Sequence, residues 1–264
     1  MTPAPTFTPA PAPDRGRAKL VYEDAAERYL RALPPEHFME ATDHSRQREI
    51  TLESFALVRE ARSDFHVFNE LLVLYPWPGD DPDRPRGVVP DNFVVLHPAP
   101  IDAGTHYNIP LQPVGPFLVL EYVSKNSKRK DYDDNHKRYE QELTVPYYLL
   151  FYPGNEELSV FRLVGGKYVT VLPNAAGRLA IPELELEAAL LGGWVRYWFR
   201  GELLPLPGEL LRQVNAARAQ LNTARDELDT TRGELDAERQ ARLTAEAELA
   251  RLRLELARAK RQMP

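Results

Sequence analysis

The stretch FLVLEYVS, residues 117–124, carries the strongest strand signal in this chain. Four apolar residues precede Glu121, and the mixture of β-branched and aromatic side chains is typical of a buried strand. A polar, helix-competent stretch, DYDDNHKRYEQEL, follows at residues 131–143, and a second apolar run, VPYYLLFY, occupies residues 145–152. Strand, helix and strand in this order predict a βαβ-type crossover, and therefore an α/β fold with a mixed sheet.

Further strands are predicted on both sides of this unit. Residues 65–75, FHVFNELLVLY, are β-branched and aromatic enough for a strand, with a helix as the alternative. Residues 88–96, VVPDNFVVL, indicate a short strand. Residues 158–172 are predicted to form a hairpin that turns at Gly165-Gly166.

Helices are predicted before the sheet. Residues 22–33 have helical spacing, and Pro34-Pro35 ends that pattern. Residues 51–62, TLESFALVREAR, predict a second helix with Thr51 as its N-cap. Near the end of the domain, three aromatic residues recur at helical spacing and are expected to belong to the core: Trp194, Tyr197 and Trp198.

The chain is predicted to have three parts. Residues 1–18 are rich in Pro and Ala and are expected to form a disordered arm. Residues 19–207 hold the predicted α/β domain, and residues 208–264 form one long helix with a period of seven.

The seven-residue repeat predicts a coiled coil. Its first position holds Val214, Leu221, Leu228, Leu235, Arg242, Leu249 and Leu256. The position three residues later holds Ala217, Ala224, Thr231, Glu238, Ala245, Leu252 and Ala259. The flanking g positions hold Glu227, Glu234, Glu248 and Glu255, and the e positions hold Arg232, Arg239, Arg253 and Lys260. These opposite charges favour a parallel two-stranded coiled coil, and hence a homodimer through residues 210–260. The alternative is a single solvated helix held by its own i,i+4 pairs.

Composition excludes some classes of protein. The 264 residues include no cysteine, so disulfides, thiolate chemistry and Cys-based zinc sites are excluded. No apolar run approaches the length of a membrane helix, and residues 1–13 lack the apolar core of a secretory leader, so a cytoplasmic protein without a membrane partner is expected. The net charge of −6 argues against a protein that coats DNA nonspecifically.

Two acidic residues mark a candidate metal site. Asp91 follows Val89-Pro90 near one predicted strand, and Glu121 lies at the end of another. Carboxylates are preferred ligands of Mg²⁺, which activates water and offsets phosphate charge in phosphodiester cleavage. In an extended strand, Val123 lies on the same face as Glu121, so its backbone carbonyl could join the metal ligands. Alternatively, Asp91 makes a Pro-Asp turn and Glu121 is a strand-edge charge.

These motifs resemble a known family. Residues 89–91 (VPD), residues 118–124 (LVLEYVS), the helix that carries Lys137, residues 145–148 (VPYY) and residues 152–153 (YP) together resemble the Uma-two family of restriction endonucleases. This family belongs to the PD-(D/E)XK nuclease superfamily, and the resemblance covers roughly residues 40–205.

The resemblance implies a set of site residues. Asp91 and Glu121 would be metal ligands and catalytic acids, and Lys137 on the helix would be the catalytic lysine, because Val123 stands in the usual E-x-K lysine position. The family helix usually spaces its lysine and tyrosine by four residues, whereas Lys137 and Tyr139 are two apart.

Other residues are weaker candidates for the site. Glu70, which precedes an apolar run, is a further acid that would face the site. Ser124 is an additional candidate for the site, but no His/Asp arrangement in the sequence would make it a nucleophile. Alternatively, its side chain forms a hydrogen bond to the turn after the strand. Four basic residues could contact DNA phosphates or form a solvated loop face: Lys125, Lys128, Arg129 and Lys130.

Two functions are consistent with these features. The first is a Mg²⁺- or Mn²⁺-dependent DNA endonuclease that dimerises through its C-terminal coiled coil. The second is a catalytically inactive nuclease fold that serves as an interaction or scaffold protein. They differ in whether Asp91, Glu121 and Lys137 converge on one point.

Overall fold

The computed structural model describes residues 15–32, 42–81, 83–123 and 134–261. The chain divides into two compact units, residues 1–206 and residues 207–264. The first unit combines helices with mixed sheets, and the second is one long helix. The predicted α/β class and the long C-terminal helix are therefore confirmed.

The described residues of the first unit include two long α-helices and thirteen strands. The helices are α1 (Arg15–Ala32) and α2 (Thr42–Ala61). The strands are β1 (Phe65–Asn69), β2 (Val73–Tyr75), β3 (Arg86–Val88), β4 (Asn92–Leu96), β5 (Tyr107–Asn108), β6 (Leu118–Tyr122), β7 (Tyr147–Tyr152), β8 (Glu157–Val164), β9 (Lys167–Thr170), β10 (Leu179–Ile181), β11 (Leu186–Leu191), β12 (Trp194–Phe199) and β13 (Glu202–Leu203).

A six-stranded sheet forms the centre of this unit, in the order β1-β4-β6-β7-β8-β9. β6 and β7 are its parallel pair, with Leu118 opposite Tyr147 and Tyr122 opposite Phe151. The other neighbouring strands of this sheet are antiparallel, including the hairpin β8–β9 around Gly165-Gly166. Both the crossover and the hairpin are confirmed.

The crossover between β6 and β7 includes a helical segment at residues 134–142. Residues 134–137 are α-helical and continue into a π-helix, Arg138–Glu142. The four predicted DNA-contacting residues and Ser124 lie outside the described residues, so their predicted roles stay predictions.

Alternation along β6 divides the core into two layers. Leu118, Leu120 and Tyr122 pack on one face with α2 and the four-stranded sheet β10-β11-β12-β13. Val119 packs on the other face, where Tyr139 of the crossover and the three-stranded sheet β3-β2-β5 lie. Because side chains alternate along a strand, Glu121 projects on the Val119 side.

The predicted start of α2 is wrong. The helix begins nine residues earlier than expected, at Thr42, and Thr51 lies buried in its middle. Its hydroxyl accepts a hydrogen bond from Tyr122 Oη at 2.7 Å and lies 2.9 Å from Tyr197 Oη. A threonine can therefore look like a cap in the sequence while it serves a buried polar cluster.

The single strand predicted at residues 65–75 is also wrong. The chain forms β1 and β2 instead, which belong to different sheets. Glu70 lies between them with a positive φ of 45°, a left-handed conformation that breaks an extended strand. Its amide donates to the Asp91 carbonyl at 3.1 Å, which holds this bend in place.

The aromatic residues near residue 195 lie on a strand rather than at helical positions. Trp194, Tyr197 and Trp198 belong to β12, and Tyr197 is buried whereas both tryptophans are partly exposed. β12 pairs with β11 and, at its end, with β13, so sheet pairing overrides the apparent helical spacing.

The second unit is the helix α3 (Pro207–Arg261). Leucines at the first heptad position, such as Leu221, Leu228 and Leu235, are exposed along it. The helix also carries internal i,i+4 ion pairs, Arg242–Glu246 at 3.0 Å and Arg251–Glu255 at 3.8 Å. Among the described residues, no helix is both long and apolar enough to cross a bilayer.

Candidate acidic metal site

Asp91 is held at the end of β6 by a backbone amide. It directly precedes β4, and its Oδ2 accepts the Tyr122 N–H at 2.6 Å. Because β4 and β6 are antiparallel neighbours, the start of β4 lies beside the end of β6. Sheet register therefore brings together two acids that are 30 positions apart in the sequence.

Glu121 is held by the crossover segment. Its Oε1 accepts hydrogen bonds from Tyr139 Oη at 2.6 Å and from Asn135 Nδ2 at 3.2 Å. Asn135 and Tyr139 are one helical turn apart, so both face the end of β6. Tyr139 is fully buried, which makes this contact part of the core as well as of the site.

Asp91 and Glu121 are close enough for the charge of one to act on the other. Burial, followed by the negative charge of Asp91, raises the pKa of Glu121 well above its usual value, and the hydrogen bond from Tyr139 opposes this shift. The pKa of Tyr139 is also raised, by burial first and by the Glu121 charge second. Two carboxylates brought together in this way are stabilised by a shared proton or by a bound cation.

Arg48 adds a positive charge to one side of the pair. Its Nη2 lies 3.2 Å from Asp91 Oδ1 and 2.9 Å from Glu70 Oε1. The Arg48 and Asp91 side chains are mostly buried, with 11% and 18% of their surface exposed, whereas the Glu70 side chain is half exposed at 51%. Glu70 is therefore linked to the site indirectly, because it pairs with Arg48, which also pairs with Asp91.

The donor set fits a hard divalent cation. Asp91 and Glu121 supply two carboxylates, and Mg²⁺ is commonly bound by one or two carboxylates with water and substrate phosphate. Val123 directly follows β6, and its amide donates to Phe151 O at 2.8 Å, which fixes the backbone there. Among the described residues, no group of three or more His, Cys, Asp and Glu side chains is arranged as a complete protein cage.

Lys137 lies on the crossover segment but is exposed. It is two residues from both Asn135 and Tyr139, which places it on the opposite side of the helical turn from the two residues that bond Glu121. The described structure gives Lys137 no hydrogen bond or ion pair. Asn135, four residues before Tyr139, stands at the spacing that the Uma-two resemblance gives to a lysine.

Sequence reasoning missed Asn135 and Arg48 as site residues. Counting back four residues from Tyr139 would have found Asn135. Arg48 carries no comparable signal, because it is 43 residues from Asp91 and is brought to it by the packing of α2. His136, between Asn135 and Lys137, is partly buried and packs against Tyr148, Phe161 and Tyr168.

Two acids therefore lie at adjacent strand ends of a mixed sheet, and a helical crossover contacts one of them. The family model of Uma2, described as "Putative restriction endonuclease", matches residues 37–191. This match covers more than half of the chain, and the chain therefore belongs to that family.

Comparisons with solved structures and with curated proteins do not extend this family assignment. A crystal structure at 1.96 Å of "a putative nuclease belonging to DUF820" from Anabaena variabilis is similar over 55% of this chain and 75% of that chain. The identity is 16% and the TM-score is 0.41. No curated protein matches the chain.

Proposed function

We propose that this protein is a Mg²⁺- or Mn²⁺-dependent DNA endonuclease. The observation that carries the proposal is the position of Asp91 and Glu121 beside each other at the end of β6, where Tyr122 N–H binds the Asp91 carboxylate and Tyr139 Oη binds the Glu121 carboxylate. Two mostly buried carboxylates repel each other unless a proton or a cation offsets their charge, and a divalent cation would do so. Membership of the restriction endonuclease family supports DNA as the substrate.

The proposed roles follow from the side chains around the pair. Asp91, Glu121 and the Val123 carbonyl would hold the divalent ion, which when bound activates water and offsets charge on the phosphate. Tyr122 N–H and Tyr139 Oη orient the two carboxylates. Lys137 is the lysine nominated by the resemblance, and because its side chain is exposed it requires its own test.

The test is plasmid cleavage with Mg²⁺ or Mn²⁺ by the full chain. We expect Asp91→Asn and Glu121→Gln to lower the cleavage rate by at least about 100-fold, because each removes a charged metal ligand. Glu202→Gln, an exposed acid on β13, is the matched control and should cleave like the wild type. Cleavage that survives Glu121→Ala would rule out this site.

The role of Lys137 is tested separately in the same plasmid cleavage assay. A loss of about 100-fold in Lys137→Ala would assign the catalytic lysine to this position. Unchanged cleavage would show that another cation serves the reaction. The unfolding temperatures of the wild type and of Lys137→Ala are measured as well, to establish that both chains are folded.

We also propose that α3 forms a parallel homodimer through residues 210–260. The exposed leucines of its heptad series support a partner helix, and the g-to-e charges support parallel orientation. Two copies would then present two acidic sites to the two strands of a duplex. Leu228→Lys with Leu235→Lys should halve the mass measured by light scattering, whereas Gln240→Lys at an outer position should not change it.

A noncatalytic interaction protein is the second candidate function. Val123 and Asn135 occupy the two positions where the resemblance expects a lysine, and this observation favours a degenerate site. Absence of cleavage with either metal, together with an intact dimer, would favour this function. The cytoplasmic location stays a prediction from the sequence.

A further inference from the structure

The cation that touches the acid pair in this chain is an arginine. Among the described contacts of the Asp91 and Glu121 side chains, Arg48 is the positively charged partner, and it bonds Asp91 Oδ1. The same Nη2 atom pairs with Glu70 Oε1 at a shorter distance, 2.9 Å against 3.2 Å. One guanidinium nitrogen is therefore shared between an acid of the pair and an acid outside it.

The surroundings fix this arrangement. Arg48 follows Gln47, whose side chain is fully buried against Val195, so α2 cannot easily rotate to carry Arg48 away. The left-handed Glu70 is tied to Asp91 through its own amide. Strained backbone that is held by its neighbours concentrates at functional sites.

We propose that Arg48 is the resident cation of this site: it neutralises Asp91 in the metal-free protein, leaves Asp91 Oδ1 when a divalent ion binds there, and stays on Glu70 to face the substrate phosphate. This inference deepens the proposed nuclease function and rests on it for the phosphate step. The guanidinium matches phosphate oxygens in geometry and charge. It would supply the positive charge that neither Val123 nor Asn135 provides.

The first measurement is Mn²⁺ affinity by calorimetry, without DNA. In Arg48→Met, Asp91 loses its competing cation, so we expect Mn²⁺ to bind about tenfold more tightly. Arg48→Lys keeps the charge and should bind Mn²⁺ like the wild type. Arg46→Met, an exposed arginine on the same helix that pairs with Glu49, is the matched control. Unchanged affinity in a folded Arg48→Met overturns the proposal.

Glu70→Gln tests the same inference in the opposite direction. Without its second anchor, Arg48 is held by Asp91 alone, so Mn²⁺ affinity should fall about threefold to tenfold. In the Arg48→Met background, Glu70→Gln should change the Mn²⁺ affinity by less than about twofold, because the competing cation is then absent. A full Glu70→Gln effect in that background would mean that Glu70 acts on the metal directly and would overturn the proposal. This variant also serves if Arg48→Met does not fold.

The second measurement is cleavage under saturating Mn²⁺. Arg48→Met should cleave DNA about 100-fold more slowly although it binds Mn²⁺ more tightly, and Arg48→Lys should retain most of the rate. Wild-type cleavage by Arg48→Met would overturn the phosphate role. If the wild type itself does not cleave, the proposed function fails, and the Mn²⁺ titrations alone then support or overturn the resident cation.

Discussion

Gln47→Leu should destabilise the first unit by about 3 kcal/mol. Gln47 is fully buried on α2, and its side-chain amide pairs with both polar groups of one residue on β12. Gln47 Nε2 donates to Val195 O at 3.1 Å, and Val195 N donates to Gln47 Oε1 at 2.8 Å. Leucine has nearly the same size but leaves both backbone groups buried without these partners, at about 1–3 kcal/mol each.

This loss in the free energy of unfolding can be measured by urea unfolding followed by tryptophan fluorescence. Trp194 and Trp198 lie on β12 on either side of Val195, so the signal reports the strand that Gln47 holds. In thermal unfolding, about 3 kcal/mol corresponds to a fall of roughly 6–12 °C for a unit of this size.

The matched control is Gln240→Leu on α3, where the side chain is exposed. This change should alter stability by less than about 0.5 kcal/mol. A loss below about 1 kcal/mol for Gln47→Leu would refute the reasoning, because it would show that Val195 does not depend on the glutamine amide. The position of Arg48 beside Gln47 would then need another explanation.

Three further predictions concern single contacts. The backbone amide of Tyr168 and a lysine lower the pKa of Glu140 from 4.5 to about 2. Glu140→Gln should therefore lower the free energy of unfolding in urea by about 1–2 kcal/mol at pH 7. This difference should disappear as the pH falls from 4.5 to about 2. Gly87→Ala places a Cβ 3.0 Å from the ring of Tyr29, which is partly buried, and should lower stability by about 1–3 kcal/mol by calorimetry. Wild-type stability would contradict this close contact. Tyr139→Phe removes a donor to Glu121 and should weaken Mn²⁺ binding at pH 7 by about tenfold, whereas Tyr107→Phe, which loses a distant hydrogen bond, should not.

The pH prediction for Glu140 has a definite sign. A carboxylate whose pKa is lower in the folded protein binds its proton more tightly after unfolding. Its contribution is therefore complete above the unfolded pKa and is lost as the pH falls toward the folded pKa. An increase in the Glu140→Gln difference at low pH would contradict the hydrogen bond from Tyr168 N to the carboxylate.

Local patterns predicted the central elements of the fold. The apolar run before Glu121 and the run at residues 145–152 became the parallel pair β6 and β7, because both are apolar on two faces and the chain between them is helix-competent. The Gly165-Gly166 turn fixed the β8–β9 hairpin, because both glycines adopt positive φ.

Errors arose where distant contacts overrode local pattern. Thr51 has the chemistry of a cap, but buried tyrosine hydroxyls use its side chain in the middle of α2. Residues 65–75 are β-branched and aromatic enough for one strand, but Glu70 turns the chain, and the Asp91 carbonyl accepts a hydrogen bond from its amide. Neither partner lies within ten residues of the position that it changes, so no local window contains it.

Periodicity and short motifs were sufficient to predict the α/β class, the long C-terminal helix and the family, and they nominated Asp91 and Glu121 as site acids. Which side chains surround these acids follows from long-range packing, which no local pattern contains. Helical phase placed Asn135 at Glu121 and left Lys137 exposed, and packing of α2 on the sheets brought Arg48 to Asp91. The charge at this site is a sum over residues that are distant in sequence, and the fold sets that sum.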